Sequence, residues 1–164
     1  CALFLSELRA GVHYTLYVAQ DDFSIPIPLY GVTTYPDGGV RTSVSDLSRL
    51  FIALLNNGEY QGARILKPAS VAEMLRFQYT ETNKPDNVAL AEKISGLFWS
   101  TKFNVTRIGH GGSDPGVRTE MLASLSKDVA VILFVNTSLS EQQAKVYAGL
   151  MDELWRYAEG LKAR

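Results

Sequence analysis

His110 stands in RIGHGGSDPGVR, Arg107 to Arg118, among four glycines and one proline. Small residues beside a histidine let a main chain approach a bound molecule, and an imidazole there can donate, accept or carry charge near neutral pH. The same residues also describe a glycine-rich turn with a solvated or core-satisfied histidine. A second candidate is SLSK, Ser124 to Lys127, where lysine follows serine at the spacing that would let an amine take the hydroxyl proton. That chemistry needs one helical face, whereas SLSKDVAV reads as a strand entering a hairpin, with alternate side chains on opposite faces and Lys127 in the turn. Ser45 and Ser48 beside Asp46 suit a helix start, where hydroxyl and carboxylate bond to nearby main chain. Asp21 and Asp22 are adjacent and cannot face each other across a glycosidic bond, so they read as a solvated loop. His13 carries no motif, and two distant histidines without a cysteine pair make no metal site. Cys1, the single cysteine, excludes an internal disulfide and reads as an ordinary small apolar residue.

Positioning these residues falls to elements that the hydrophobic pattern delimits. Val12 to Val18 alternates weakly and suggests a strand. Residues 21–39 hold three prolines and three glycines and are expected to form a long irregular loop, leaving 1–42 mostly loop. Over 43–78 the pattern predicts two helices. In the first, Ser43 or Ser45 caps the start, Leu47, Leu50, Phe51, Leu54 and Leu55 form a core stripe, and Asn57-Gly58 ends it. The second runs from Pro68 to Phe77, with Val71, Met74 and Leu75 inward. From Gly96 the period changes to two. GLFWSTKF, NVTRIG, VRTEMLASL and VAVILFVNT predict antiparallel strands over 96–137, the last apolar enough to be covered on both faces. A closing helix over 140–162 carries Ala144, Tyr147, Ala148, Met151, Leu154, Trp155 and Ala158 on one stripe, as a sheet cover requires. The class is α+β: an antiparallel meander flanked by helices, in a single incomplete domain spanning 1–164.

Composition removes several functions. Sixteen Lys and Arg against seventeen Asp and Glu give a net charge of -1, and the basic residues are scattered singly, which argues against nucleic acid as a partner. No run of about twenty apolar residues is present, so no membrane span is expected.

Read together, four pieces resemble the serine β-lactamase and penicillin-binding-protein-like hydrolases, in the class C β-lactamase and esterase branch. YPDGGVRTSVSDLSRLFIALLNNGEYQGARILKPASVAEML is similar to the segment after that family's second catalytic motif, and GLFW to the start of its next strand. GHGGSDPG resembles its third motif with histidine in place of lysine, and VAVILFVNTS with the following helix resembles its last strand and terminal helix. The resemblance covers Gly31 to the end. It implies acyl transfer to a serine, with no cofactor and no metal, on a small-molecule or peptide-like ester, amide or β-lactam. It also implies that His110, Gly111 and Gly112 take the three places of the motif, that Ser113 supplies an oxyanion N–H, and that His110 faces the cleft. The compartment stays open, with a periplasmic or extracellular one implied by the resemblance.

The sequence departs from that family in two motifs. None of the eight tyrosines has an asparagine two residues on, and SLSK follows the GHGG segment instead of preceding it. The expectation is therefore a C-terminal portion with no nucleophile of its own, inactive alone, whose unpaired sheet edge leads it to self-associate or to bind a missing N-terminal portion. A non-catalytic binding or assembly domain on the same fold is the alternative, and upstream Ser-x-x-Lys and Tyr-x-Asn motifs would decide for the enzyme.

Overall fold

Helix α1 (Val44–Leu55) starts where Ser43 turns its hydroxyl onto the Asp46 amide at 3.0 Å, so of the two serines proposed as cap it is Ser43 that serves. It ends in Asn57 and Gly58, both left-handed, and the Gly58 amide reaches back to the Ala53 carbonyl at 2.7 Å. A Cβ at Gly58 would fall 2.2 Å from the Leu66 carbonyl oxygen, so glycine is required there on two counts. The computed structural model describes residues 16–20, 23–28, 30, 31, 33, 38–103 and 105–162. Within it a hairpin of β1 (Leu16–Gln20) and β2 (Phe23–Ile27) precedes α1. The short pair β3 (Glu59–Tyr60) and β4 (Ala63–Arg64) follows, and then helix α2 (Pro68–Leu75).

A four-stranded antiparallel sheet comes next, in the order β5 (Ser100–Lys102), β6 (Arg107–Asp114), β7 (Val117–Ser124), β8 (Ala130–Val135), and helix α3 (Glu141–Lys162) closes the chain. Its two faces bury different partners. One face offers Ile108 and Ala123 to Phe51 and Leu54 of α1, Val71 of α2 and Trp99, with Phe51 stacked on Trp99 at 5.7 Å. The other offers Leu122, Val129 and Val131 to Met151 and Trp155 of α3. Burying each of these large side chains stabilises the fold by about 1.5–3 kcal/mol. No helix among the described residues is long and apolar enough to cross a membrane.

Several expectations need correction. The stretch 21–39 is not loop throughout, since β2 occupies Phe23–Ile27 and accommodates Pro26 because an edge of a two-stranded ribbon needs no amide there. GLFWSTKF is strand only from Ser100: Phe98 is left-handed, and the Gly96 amide bonds the Trp99 carbonyl in a turn. NVTRIG pairs only from Arg107, after left-handed Phe103 and Val105. Leu50, expected in the core, is 46% exposed, while Ala53 is buried. On α3 the buried stripe narrows to Tyr147, Met151 and Trp155, with Ala144, Ala148 and Leu154 exposed. β8 does send Ile132 to one core and Leu133 to the other, but of its residues only Val131 is buried.

Candidate active site

Strand β6 is the GHGG segment itself. Eight residues, RIGHGGSD, pair in register with β7, from Arg107 opposite Ser124 to Asp114 opposite Val117. Side chains alternate across a strand, so Ile108, His110, Gly112 and Asp114 lie on the α1/α2 side, and Arg107, Gly109, Gly111 and Ser113 on the α3 side. Their neighbours agree: Ile108 sits in the Phe51 core, and the Arg107 guanidinium lies 4.0 Å over the Trp155 ring.

His110 is exposed, and its Nδ1 lies 3.0 Å from the Phe98 carbonyl oxygen. A carbonyl only accepts, so Nδ1 carries the proton, and Nε2 is left as an acceptor when the ring is neutral. Phe98 is held left-handed with its side chain 85% exposed, a combination that costs about 1 kcal/mol in backbone alone and persists at an over-determined place. β5 pairs only with Arg107 to Gly109, so from His110 onward this edge of β6 has no strand beside it among the described residues. In an antiparallel ladder alternate residues turn their N–H groups away from the partner strand, and on β6 those groups open onto this edge. At the far end Tyr30 donates to the Pro115 carbonyl at 2.7 Å, bringing part of the preceding loop beside the β6–β7 turn.

The glycines of the segment differ in what they accommodate. A Cβ on Gly112 would meet only the Thr119 hydroxyl at 3.4 Å, leaving open space beside His110. A Cβ on Gly111 would lie 2.5 Å from Oε1 of Glu120. Glu120 is 5% exposed and paired with Lys102 of β5, with Arg118 farther away at 3.9 Å. The Ser113 side chain, on the same side as Gly111, lines a cavity against α3, so only its main chain can serve the His110 face.

A family model for beta-lactamase matches residues 6–154 of this chain, its GHGG strand included. The chain belongs to the beta-lactamase family. Its helices and antiparallel sheet accordingly form a serine-hydrolase-like fold. No curated protein matches the chain.

In this beta-lactamase family chain, the remaining candidates do not join His110. Ser124 donates to Asp128 at 2.8 Å and accepts the Asp128 amide at 3.2 Å, and Lys127 is left-handed, so SLSK is a hairpin turn and not a helical serine–lysine pair. Lys162 and the serines 124 and 126 bond Asp128 and hold its carboxyl well below the usual range. Ser48 donates to its own helix at Ser45, and Asp46 takes up Ser43 and Arg49. Cys1, His13, Asp21 and Asp22 lie outside the described residues. No cluster of His, Cys, Asp and Glu among the described residues could hold a metal ion. Sequence reasoning missed Glu120, Lys102 and Phe98. Only the glycine opposite Glu120 hinted at the first, because nothing local links residues eighteen positions apart.

Proposed function

We propose that this chain supplies one wall of an acyl-transfer site in a serine hydrolase acting on a small or peptide-like ester, amide or β-lactam. What carries the reading is the free edge of β6, with His110 anchored through Nδ1, Gly112 leaving room beside it and main-chain N–H groups opening onto the same space. Such N–H donors stabilise the oxyanion that develops on the attacked carbonyl, and we assign that role to the Ser113 amide. His110 Nε2 then bonds the substrate or a phenol in the cleft, fixing its orientation, while Gly111 and Gly112 keep the wall thin.

The hydroxyl that forms the acyl bond, and the groups that take and return its proton, are assigned to Ser-x-x-Lys and Tyr-x-Asn motifs outside these 164 residues. The chain alone is then inactive. The outer edge of β8, which no strand covers among the described residues, and the exposed Val146, Leu150 and Tyr157 on α3 support association with a further polypeptide or with a second copy. Intact-mass spectrometry after a fluorophosphonate probe tests the assignment: no adduct is expected on the 18.1 kDa chain, and an adduct on it would overturn the reading. Light scattering tests the association, and a monodisperse monomer would count against it.

A further inference from the structure

On the α3 side of the sheet, behind the strand that carries His110, lies a cavity of about 330 Å³ between β6, β7 and α3. At roughly 30 Å³ per water it has room for about ten waters or one small organic molecule. Tyr147 of α3 lines it, 8% exposed, with a buried hydroxyl that makes no hydrogen bond of ordinary geometry and has the Arg118 guanidinium as its polar neighbour. A buried hydroxyl so poorly bonded is costly, and a group that met it would recover that loss.

Charges around the cavity decide the kind of molecule. Glu120 is already held by Lys102, whereas the nearest Arg118 nitrogen stands 3.9 Å from Glu120, at the limit of an ion pair, and keeps donors to spare. Two cations against one carboxylate leave an excess positive charge, and the Ser113 hydroxyl stands beside it on an exposed residue. Phe103 and Met151 supply apolar lining.

We propose that this cavity is a second binding site, separated from His110 by the thickness of the sheet, for a small carboxylate bearing an apolar chain. The carboxylate takes the fork of the Arg118 guanidinium and the proton of the Tyr147 hydroxyl, and the chain lies over Phe103 and Met151. A cationic head would meet the excess positive charge, and a neutral one would forgo the ionic hydrogen bonds.

Calorimetric titration of the purified protein with sodium hexanoate, hexanol and hexylamine tests this. Saturable binding of hexanoate alone is expected, weakened about tenfold or more by Arg118→Gln. Tyr147→Phe is expected to weaken it severalfold while leaving the melting temperature equal or higher, because the variant deletes a poorly bonded buried hydroxyl. The proposal is overturned if hexanoate fails to saturate, if hexanol binds as tightly, or if neither folded variant changes hexanoate affinity.

Discussion

Replacing Gly111 by alanine puts a methyl group 2.5 Å from Oε1 of Glu120 and 2.9 Å from both its Cδ and the Thr119 carbonyl oxygen. Those separations cannot persist, so something must move. The Glu120 carboxylate, 5% exposed and bordered by Gly111, can yield only by leaving Lys102 for the cavity that it lines. Forcing a methyl into packed space costs about 1–3 kcal/mol. Dislodging a buried carboxylate from its partner can add about 3–5 kcal/mol, a figure to be reduced because the Lys102 side chain is 32% exposed and water replaces part of the pairing. A loss of about 3 kcal/mol is expected, or about 6–12 °C in melting temperature for a chain of this size. Urea unfolding of Gly111→Ala, Glu120→Ala and the double variant measures it, and a coupling of at least about 1 kcal/mol should appear, since without Glu120 only the Thr119 carbonyl remains in the way. Gly112→Ala, one residue on, should change stability by less than about 0.5 kcal/mol. Equal losses for the two glycines, or additive behaviour with Glu120→Ala, would refute the assignment of faces along β6.

Three further outcomes are expected. Phe51→Ala empties the fully buried site stacked on Trp99 and should cost about 3–5 kcal/mol by urea unfolding, with a change in tryptophan fluorescence. Ser43→Ala removes the acceptor of the Asp46 amide and should cost about 1 kcal/mol, read as a lower urea midpoint with helical circular dichroism retained. Asp128, stabilised as a carboxylate by Lys162, Ser124 and Ser126, has a folded pKa below its unfolded one, near 3.9. Its contribution is therefore present above about pH 4 and lost as pH falls through the folded value. Asp128→Asn should lower the urea midpoint at pH 7 and narrow its gap from the unsubstituted protein towards pH 3, and a gap that widens on acidification would contradict this.

What the sequence disclosed, and what it withheld, follows from how far apart the responsible residues lie. Helix α1 was legible because its cap, its three-and-four spacing and its terminal Asn-Gly are all local, yet Leu50 sits on the stripe and remains exposed, since periodicity names a face and not its cover. Strand β2 was hidden by its own proline, which marks loops more often than ribbon edges. The motif in β6 could be recognised by residue type, but its glycines could not be told apart without Glu120 across the ladder. Phe98 gave no sign of its left-handed backbone, a conformation imposed by the turn into β5 and the His110 contact. The poorly bonded Tyr147 hydroxyl had even less trace, because the pattern that buries the ring says nothing about its oxygen.

The two-sidedness of β6 has a meaning for how such a chain can change. Even-numbered positions from 108 to 114 face the helices α1 and α2, where, on the proposed function, a substitution at His110 or Gly112 acts on recognition. Odd-numbered positions face α3, where one at Gly109 or Gly111 acts on whether the protein persists at all. A mutant library over residues 109–112 should therefore divide by parity into variants that alter selectivity and variants that alter abundance. Length changes obey the same arithmetic: loss of one residue exchanges the two populations at a stroke, whereas loss of two shortens the wall and leaves each side with its own inheritance.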